Sequence, residues 1–301
     1  MSREELAGLR ELGELGGLES VERCQREALR VGELVSAGGQ ASVERVVWAG
    51  EALYLKRLLP SERSEIRAEG RARLACEARA LLLASDHPLL KDHLKALLCN
   101  AQGELDGVIL TPVEGASLSE LLRASPPLSP LEVAWCMEEL IGWLEHIKKV
   151  NLWAHGDIAP RNVMVTSTGR LTLIDWGSAW GPTLPYSEAR CAGTPPYRPP
   201  HLSPSSKEQE AGAPDLYALG ALWLKLVTGV SPQGDLSTLK ASDLTQSGWP
   251  KAWSEALIAL LNTHPPHLPH LRASLWAFTK REGSALEHLK SEVQGRFKAR
   301  L

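Results

Sequence analysis

The chain changes its hydrophobic rhythm near its middle. From about residue 28 the stretches ALRVGELV, ASVERVVWAG and ALYLKRL alternate apolar and polar positions and are separated by glycines, the pattern of short half-buried strands. Residues 62–84 are rich in Ala, Leu, Arg and Glu and predict a helix, which SDHPLL stops. GVILTPVEGASLSELLR reads as a strand, a Pro/Gly linker near 111–116 and the start of a helix. SPLEVAWCMEELIGWLEHIKKVN is a strongly amphipathic helix with Ser129 as its cap and Pro130 in its first turn. VMV-TSTG-RLTLID predicts two short strands joined by a turn. A Pro-rich irregular stretch follows to about 214, and the remainder is helical. Within it LYALGALWL, 216–224, reads as a buried helix, and HPPHLPH, 264–270, as a loop.

A strand-rich half therefore precedes a helix-rich half, an α+β arrangement of two lobes. Residues 1–24 read as an N-terminal helical extension, 25–112 as the small lobe, 113–282 as the large lobe, and 283–301 as an amphipathic helical tail. The 301 residues suffice for two lobes with a real core. Hydrophobic residues at 44% and charged residues at 23% describe an ordinary globular protein. The net charge of −3, without a basic block, gives no support to nucleic-acid binding or membrane attachment. Neither a membrane span nor a leader peptide is evident. Five scattered cysteines without a Cys-x-x-Cys pair read as reduced thiols of a cytoplasmic protein.

The candidate chemistry lies in HGDIAPRN, 155–162, which packing alone does not require. Asn162 stands just before the first strand of the 163–175 hairpin and Asp175 ends the second. A tight turn should bring the two together as oxygen ligands for a hard cation such as Mg²⁺. Asp157, earlier on the same loop, should face the same place.

These residues carry a resemblance to the eukaryotic-like serine/threonine protein kinases, in a divergent bacterial-type form. HGDIAPRN resembles the family's catalytic loop, and IDWG, 174–177, its Asp-Phe-Gly motif, with Trp176 in the Phe place. LYLK, 53–56, resembles the strand that carries the phosphate-binding lysine, and CEARALLLASDHPLL the helix whose glutamate pairs with it. GTPPYRPPH, 193–201, resembles the end of the activation segment, and DLYALG, 215–220, the buried helix behind the catalytic loop. Six motifs occur in order between about Val31 and Arg272.

The resemblance implies a bilobal kinase-like fold, with ATP and Mg²⁺ as cofactors and a protein as acceptor. It gives Lys56 to the ATP phosphates, Glu77 to Lys56, Asn162 and Asp175 to the metal, and Asp157 to the acceptor hydroxyl as its base. Ser36, Gly38 and Ala41 take the places of the glycine-rich loop. Val43 and Tyr54 would line the adenine, Leu110 would be the gatekeeper, and Thr111 to Val113 would offer backbone hydrogen bonds. Thr194 falls where serine/threonine kinases keep a threonine against the catalytic acid. Asp215 would accept amides of the catalytic loop.

The chain also departs from the family. Only one of three glycine-loop positions is glycine, and Tyr54 stands in place of a small residue. Gly156 replaces the arginine before Asp157, and Ala159 replaces a lysine that Arg161 partly supplants. His201 replaces a glutamate whose partner would be Arg272. Besides an active serine/threonine kinase, two alternatives therefore stay open. One is a pseudokinase acting as a nucleotide- or protein-binding module, and the other a kinase-like phosphotransferase for small molecules.

Overall fold

A computed structural model describes residues 17–37, 41–124, 128–184, 193–199, 212–232, 236, 239–246, 249–261, 268–279 and 283–301. Residues 1–16 of the expected N-terminal helix, Gly38 and His201 lie outside them. The chain divides into two compact units, one formed by residues 1–113, 150–152 and 175–192, the other by 114–149, 153–174 and 193–301. The fold is α+β.

The first unit is built on a six-stranded sheet of order β1-β5-β6-β4-β3-β2. Its strands are β1 (Glu22–Cys24), β2 (Arg30–Ala37), β3 (Ala41–Trp48), β4 (Glu51–Leu58), β5 (Leu94–Cys99) and β6 (Leu105–Leu110). Strand alternation sorts the apolar residues onto two faces. Leu97, Cys99, Leu105, Val108 and Leu58 pack with Leu74, Ala75 and Ala78 of helix α1 (Ser64–Leu83). Ala96, Leu98, Ile109, Leu53, Leu55 and Val46 form the other face with Cys24 and Leu29. Small residues let α1 lie close: a Cβ on Gly70 would sit 2.6 Å from the Leu58 side chain. Two strands escaped the sequence reading. β5 lacks a polar-apolar alternation, and the three-residue β1 pairs with it in parallel. Residues 17–20 form a turn rather than the end of a helix, and Leu18 and Val21 plug the α1 side of the core. β2 is an edge strand and exposed along its whole length, so its apolar residues serve no core.

The second unit is mostly helical: α2 (Leu118–Ala124), α3 (Pro130–Lys149), α4 (Ala213–Thr228), α5 (Ala241–Gln246), α6 (Lys251–Leu261), α7 (Leu268–Trp276) and α8 (Gly283–Ala299). Ser129 caps α3 as expected, and Glu132 completes a capping box by reaching back to the Ser129 amide at 2.8 Å. α4 is buried over nearly all its length, with Trp223 edge-on to Trp253 of α6 at 5.4 Å. A small sheet joins β7 (Gly115–Ser117), β8 (Val163–Thr166) and β9 (Leu171–Leu173). The expected linker is thus partly a strand. Gly115 permits it: its φ is +144°, and a Cβ there would lie on the Val165 carbonyl oxygen. The loop expected to run to residue 270 is helical from Leu268 onward. No described helix is long and apolar enough to cross a membrane. The described cysteines, 24, 76, 99 and 136, are free and buried.

Candidate functional site

In the first unit the antiparallel register of β2, β3, β4 and β6 sets the site. Ser36 pairs with Val43, Val43 with Lys56, and Lys56 with Val108, while Tyr54 pairs with Leu110. Partners across antiparallel strands point to one face, so Ser36, Val43, Tyr54, Lys56 and Leu110 share it. It is the face that carries α1. Ala41 begins β3, opposite Leu58.

Lys56 reaches from that face to two carboxylates. Its Nζ donates to Glu77 Oε2 at 2.7 Å and to Asp175 Oδ1 at 2.6 Å. Burial opposes the charge on Lys56, but Asp175 and then Glu77 outweigh it and hold the ammonium's pKa above that of an ordinary lysine. Burial raises the Glu77 carboxyl, and Lys56 only partly offsets that. Asp175 sits at φ +63°, ψ +65°, a left-handed conformation uncommon outside glycine. The segment after it is fastened to α1: Cys76 Sγ donates to the Ala179 carbonyl at 3.1 Å, and Arg73 to Ser178 Oγ at 3.3 Å. Neither Cys76 nor Arg73 was singled out from sequence. Each stands within four positions of Glu77 in the same helix, which is the signal that was available.

Thr111 has its amide committed to the His93 carbonyl at 2.8 Å and its hydroxyl to the Asp92 carbonyl at 3.0 Å. Of the backbone groups expected to meet a planar ring, the Thr111 amide is therefore already taken. The Thr111 carbonyl and the Val113 backbone remain the candidates.

In the second unit the HGDIAPRN loop is held from beneath by Asp215, at the start of α4. The carboxylate of Asp215 accepts the amides of His155 at 2.6 Å and Gly156 at 2.9 Å. Burial, opposed by these two amides and reinforced by the charge of Asp157, pushes the Asp215 carboxyl up to about 7. The imidazole of His155 is fully buried and bridges the Ile174 carbonyl and the Asp157 amide. This residue lies inside the quoted motif but was given no role from sequence.

Asp157 is the centre of this unit's polar cluster. Its Oδ1 accepts the Thr194 hydroxyl at 2.6 Å, and its Oδ2 accepts Arg161 at 3.1 Å and the Asn162 amide at 2.9 Å. The Asn162 amide also bonds the Asp157 carbonyl at 2.9 Å. Arg161, two residues after Ala159, thus supplies a cation directly to the acid.

Each unit offers an oxygen donor of the kind a hard cation takes. The amide nitrogen of Asn162 is committed to Asp157, which leaves its carbonyl oxygen as the ligand it can offer. The side chain of Asp175 is 44% exposed and offers carboxylate oxygen. Ile174, the neighbour of Asp175, donates its amide to the backbone carbonyl of Asn162 at 3.0 Å.

Arg272, the arginine whose usual glutamate partner is replaced by His201, grips two acids of α3: Glu138 at 3.0 Å and Glu145 at 3.1 Å.

A lysine fixed between two acids on a sheet, and an Asp-centred loop tethered to a buried helix, define a kinase-type phosphotransferase framework. The protein kinase domain family matches residues 30–281, most of the chain, and the chain belongs to that family. Among similar curated proteins is the serine/threonine-protein kinase PrkC of Bacillus subtilis, 28% identical over 147 residues, covering 47% of this chain and 22% of PrkC. The serine/threonine-protein kinase PkaA of Streptomyces coelicolor is 31% identical over 172 residues, covering 54% of this chain and 30% of PkaA. PknL of Mycobacterium tuberculosis, also a serine/threonine-protein kinase, is 26% identical over 231 residues, covering 75% of this chain and 50% of PknL. The chain spans half or less of the length of these relatives.

Proposed function

We propose that the chain is a protein kinase that transfers the γ-phosphoryl group of ATP to serine or threonine hydroxyls of protein acceptors. The observation that carries this reading is the intact polar set around Asp157, with Thr194, Arg161 and Asn162 all on its carboxylate. Asp157 orients the acceptor hydroxyl and takes its proton as oxygen attacks the γ-phosphorus and the bond to the β-phosphate oxygen breaks. Lys56, fixed by Glu77, meets the negative α/β-phosphates. Asn162 and Asp175 would hold Mg²⁺, whose charge offsets that of the phosphates. Val43, Tyr54 and Leu110 supply an apolar face for the adenine, and the Thr111 carbonyl and Val113 backbone its polar edge. Arg161 and Thr194 keep the Asp157 carboxylate in place. The buried free thiols suit a reducing compartment, the cytoplasm.

The contact of Thr194 with Asp157 favours a polypeptide acceptor over a small molecule, because it ties the segment that follows a kinase activation loop to the base. The second reading, a nucleotide-binding pseudokinase, is favoured by Tyr54, a bulky residue on the sheet face of Lys56 where the family keeps a small one. Radiolabelled-ATP incorporation by the purified protein with Mg²⁺, beside Asp157→Ala and Asp175→Ala, separates them. Label in the wild type and in neither variant is expected. Nucleotide binding without label on protein or generic peptide acceptors would establish the pseudokinase.

A further inference from the structure

The second unit contains a cavity of about 500 Å³ beside the Asp157 loop. Its lining includes Ala159, Pro160 and Arg161 of the loop, Thr194 and Tyr197, Arg123 of α2, and Lys225 of α4. Arg161 and Thr194 are the residues that bond the Asp157 carboxylate, so the cavity adjoins the proposed base. Three cations line it, and no Asp or Glu is among its lining residues.

The cations differ in how far they are already satisfied. Arg161 is paired with Asp157. Lys225 Nζ donates to a hydroxyl, Ser231 Oγ at 3.0 Å, and the buried Tyr197 bonds the same serine. Arg123 Nε donates to the Ser119 carbonyl, while the nearest acid on its helix, Glu120, is occupied by the amide and hydroxyl of Ser117. Lys225, bonded to a hydroxyl, and Arg123, whose charge also acts on Glu120, thus face a roomy cavity with no acid in its described lining. The hydroxyl of Ser119 adds a donor.

We propose that this cavity receives an anionic flank of the acceptor polypeptide: a carboxylate or phosphate side chain close to the hydroxyl that is phosphorylated. The proposal rests on the protein-kinase reading and adds to it the substrate class. A basic flank would meet like charges at Arg123 and Lys225, so the cavity discriminates by repulsion as well as attraction.

The test uses fluorescein-labelled peptides with one serine acceptor, flanked by Glu, phosphoserine, Gln or Lys. Binding is followed by anisotropy and phosphoryl transfer by label, on the wild type, Arg123→Glu and Lys225→Glu. Glu- or phosphoserine-flanked peptides are expected to bind about tenfold tighter than Gln-flanked ones, with Lys-flanked peptides weakest. Each charge reversal should erase the preference for the anionic flank. Carboxylate and phosphate sources are told apart by the Glu and phosphoserine arms. Transfer to all peptides without a charge preference would overturn the proposal and leave the kinase reading standing. Anionic binding that the variants abolish, with no transfer, would keep the proposal's surface and overturn the kinase reading.

Discussion

Thr194 Oγ1 donates to Asp157 Oδ1 at 2.6 Å. A hydroxyl that tethers one oxygen of the proposed base limits its rotation, while Arg161 and Asn162 hold the other. Positioning of this sort is worth a large factor in rate, because a misaligned base loses its line to the proton. Thr194→Val should lower kcat about 10- to 100-fold and leave the KM for ATP nearly unchanged. Thr194→Ser, which retains the hydroxyl, should keep most of the activity. Steady-state kinetics beside a thermal melt check this, and an equal loss in both variants would refute the tether.

Lys56 and Glu77 make a second prediction, on stability. The Glu77 side chain is 3% exposed and that of Lys56 16%, so removing one partner strands a buried charge. Lys56→Met should cost about 3–5 kcal/mol in urea unfolding. Asp175, more exposed, can rehydrate and contributes less to that cost. The double change Lys56→Met, Glu77→Leu removes both charges and should recover much of the loss. Nucleotide binding should be absent from both proteins. A single variant as stable as the wild type would show that the pair is not buried in solution.

Much of this framework was legible in the chain because its chemistry is local. Asp157, Arg161 and Asn162 fall within six residues, and Asp215 sits at the head of a visibly apolar helix. Lys56 was picked out by the resemblance of LYLK to a kinase strand, and alternation fixes its face once β4 is assigned. Pairings between distant segments were not. Nothing near Arg272 announces Glu138 or Glu145, since that contact depends on how α7 crosses α3. The strand role of Gly115 was hidden because glycine reads as linker until its partner β8 is known. β5 was missed for a related reason: buried on both faces, it lacks the alternation that marks a half-exposed strand.

His93 gives a pH prediction. It precedes β5, is 8% exposed, and its carbonyl holds the Thr111 amide. Burial pushes its imidazole down to about 4, against an ordinary histidine near 6.5. Between these values the unfolded chain holds a proton that the folded chain does not. Stability from this group is therefore present above pH 6.5 and is lost as pH falls toward 4. From pH 7 to 5 the wild type should lose about 2 kcal/mol more than His93→Gln. Chemical denaturation at the two pH values measures the difference, and parallel losses would mean that His93 titrates normally.

The C-terminal helix α8 yields the last prediction. Leu289, Val293 and Phe297 recur every four residues and are buried, so one stripe of an otherwise polar helix is core. Its charges are matched as well: Arg300 lies 2.7 Å from Glu132, and Lys290 3.3 Å from Glu138, both acids of α3. Glu132 also closes the capping box of α3, so α8 reinforces the start of that helix. Gly169, in the turn between β8 and β9, has φ +79°, and a Cβ there would overlap the Gln294 carbonyl oxygen. Only glycine lets the turn and α8 approach so closely. Phe297→Ala should cost about 3–5 kcal/mol, as for an aromatic side chain deleted from a core. Gly169→Ala should destabilise by at least about 1 kcal/mol through both its strained φ and the displaced helix. Urea unfolding of the two variants, with limited proteolysis to follow release of α8, tests the docking. If both unfold as the wild type does, α8 is an appendage and not part of the second unit's core.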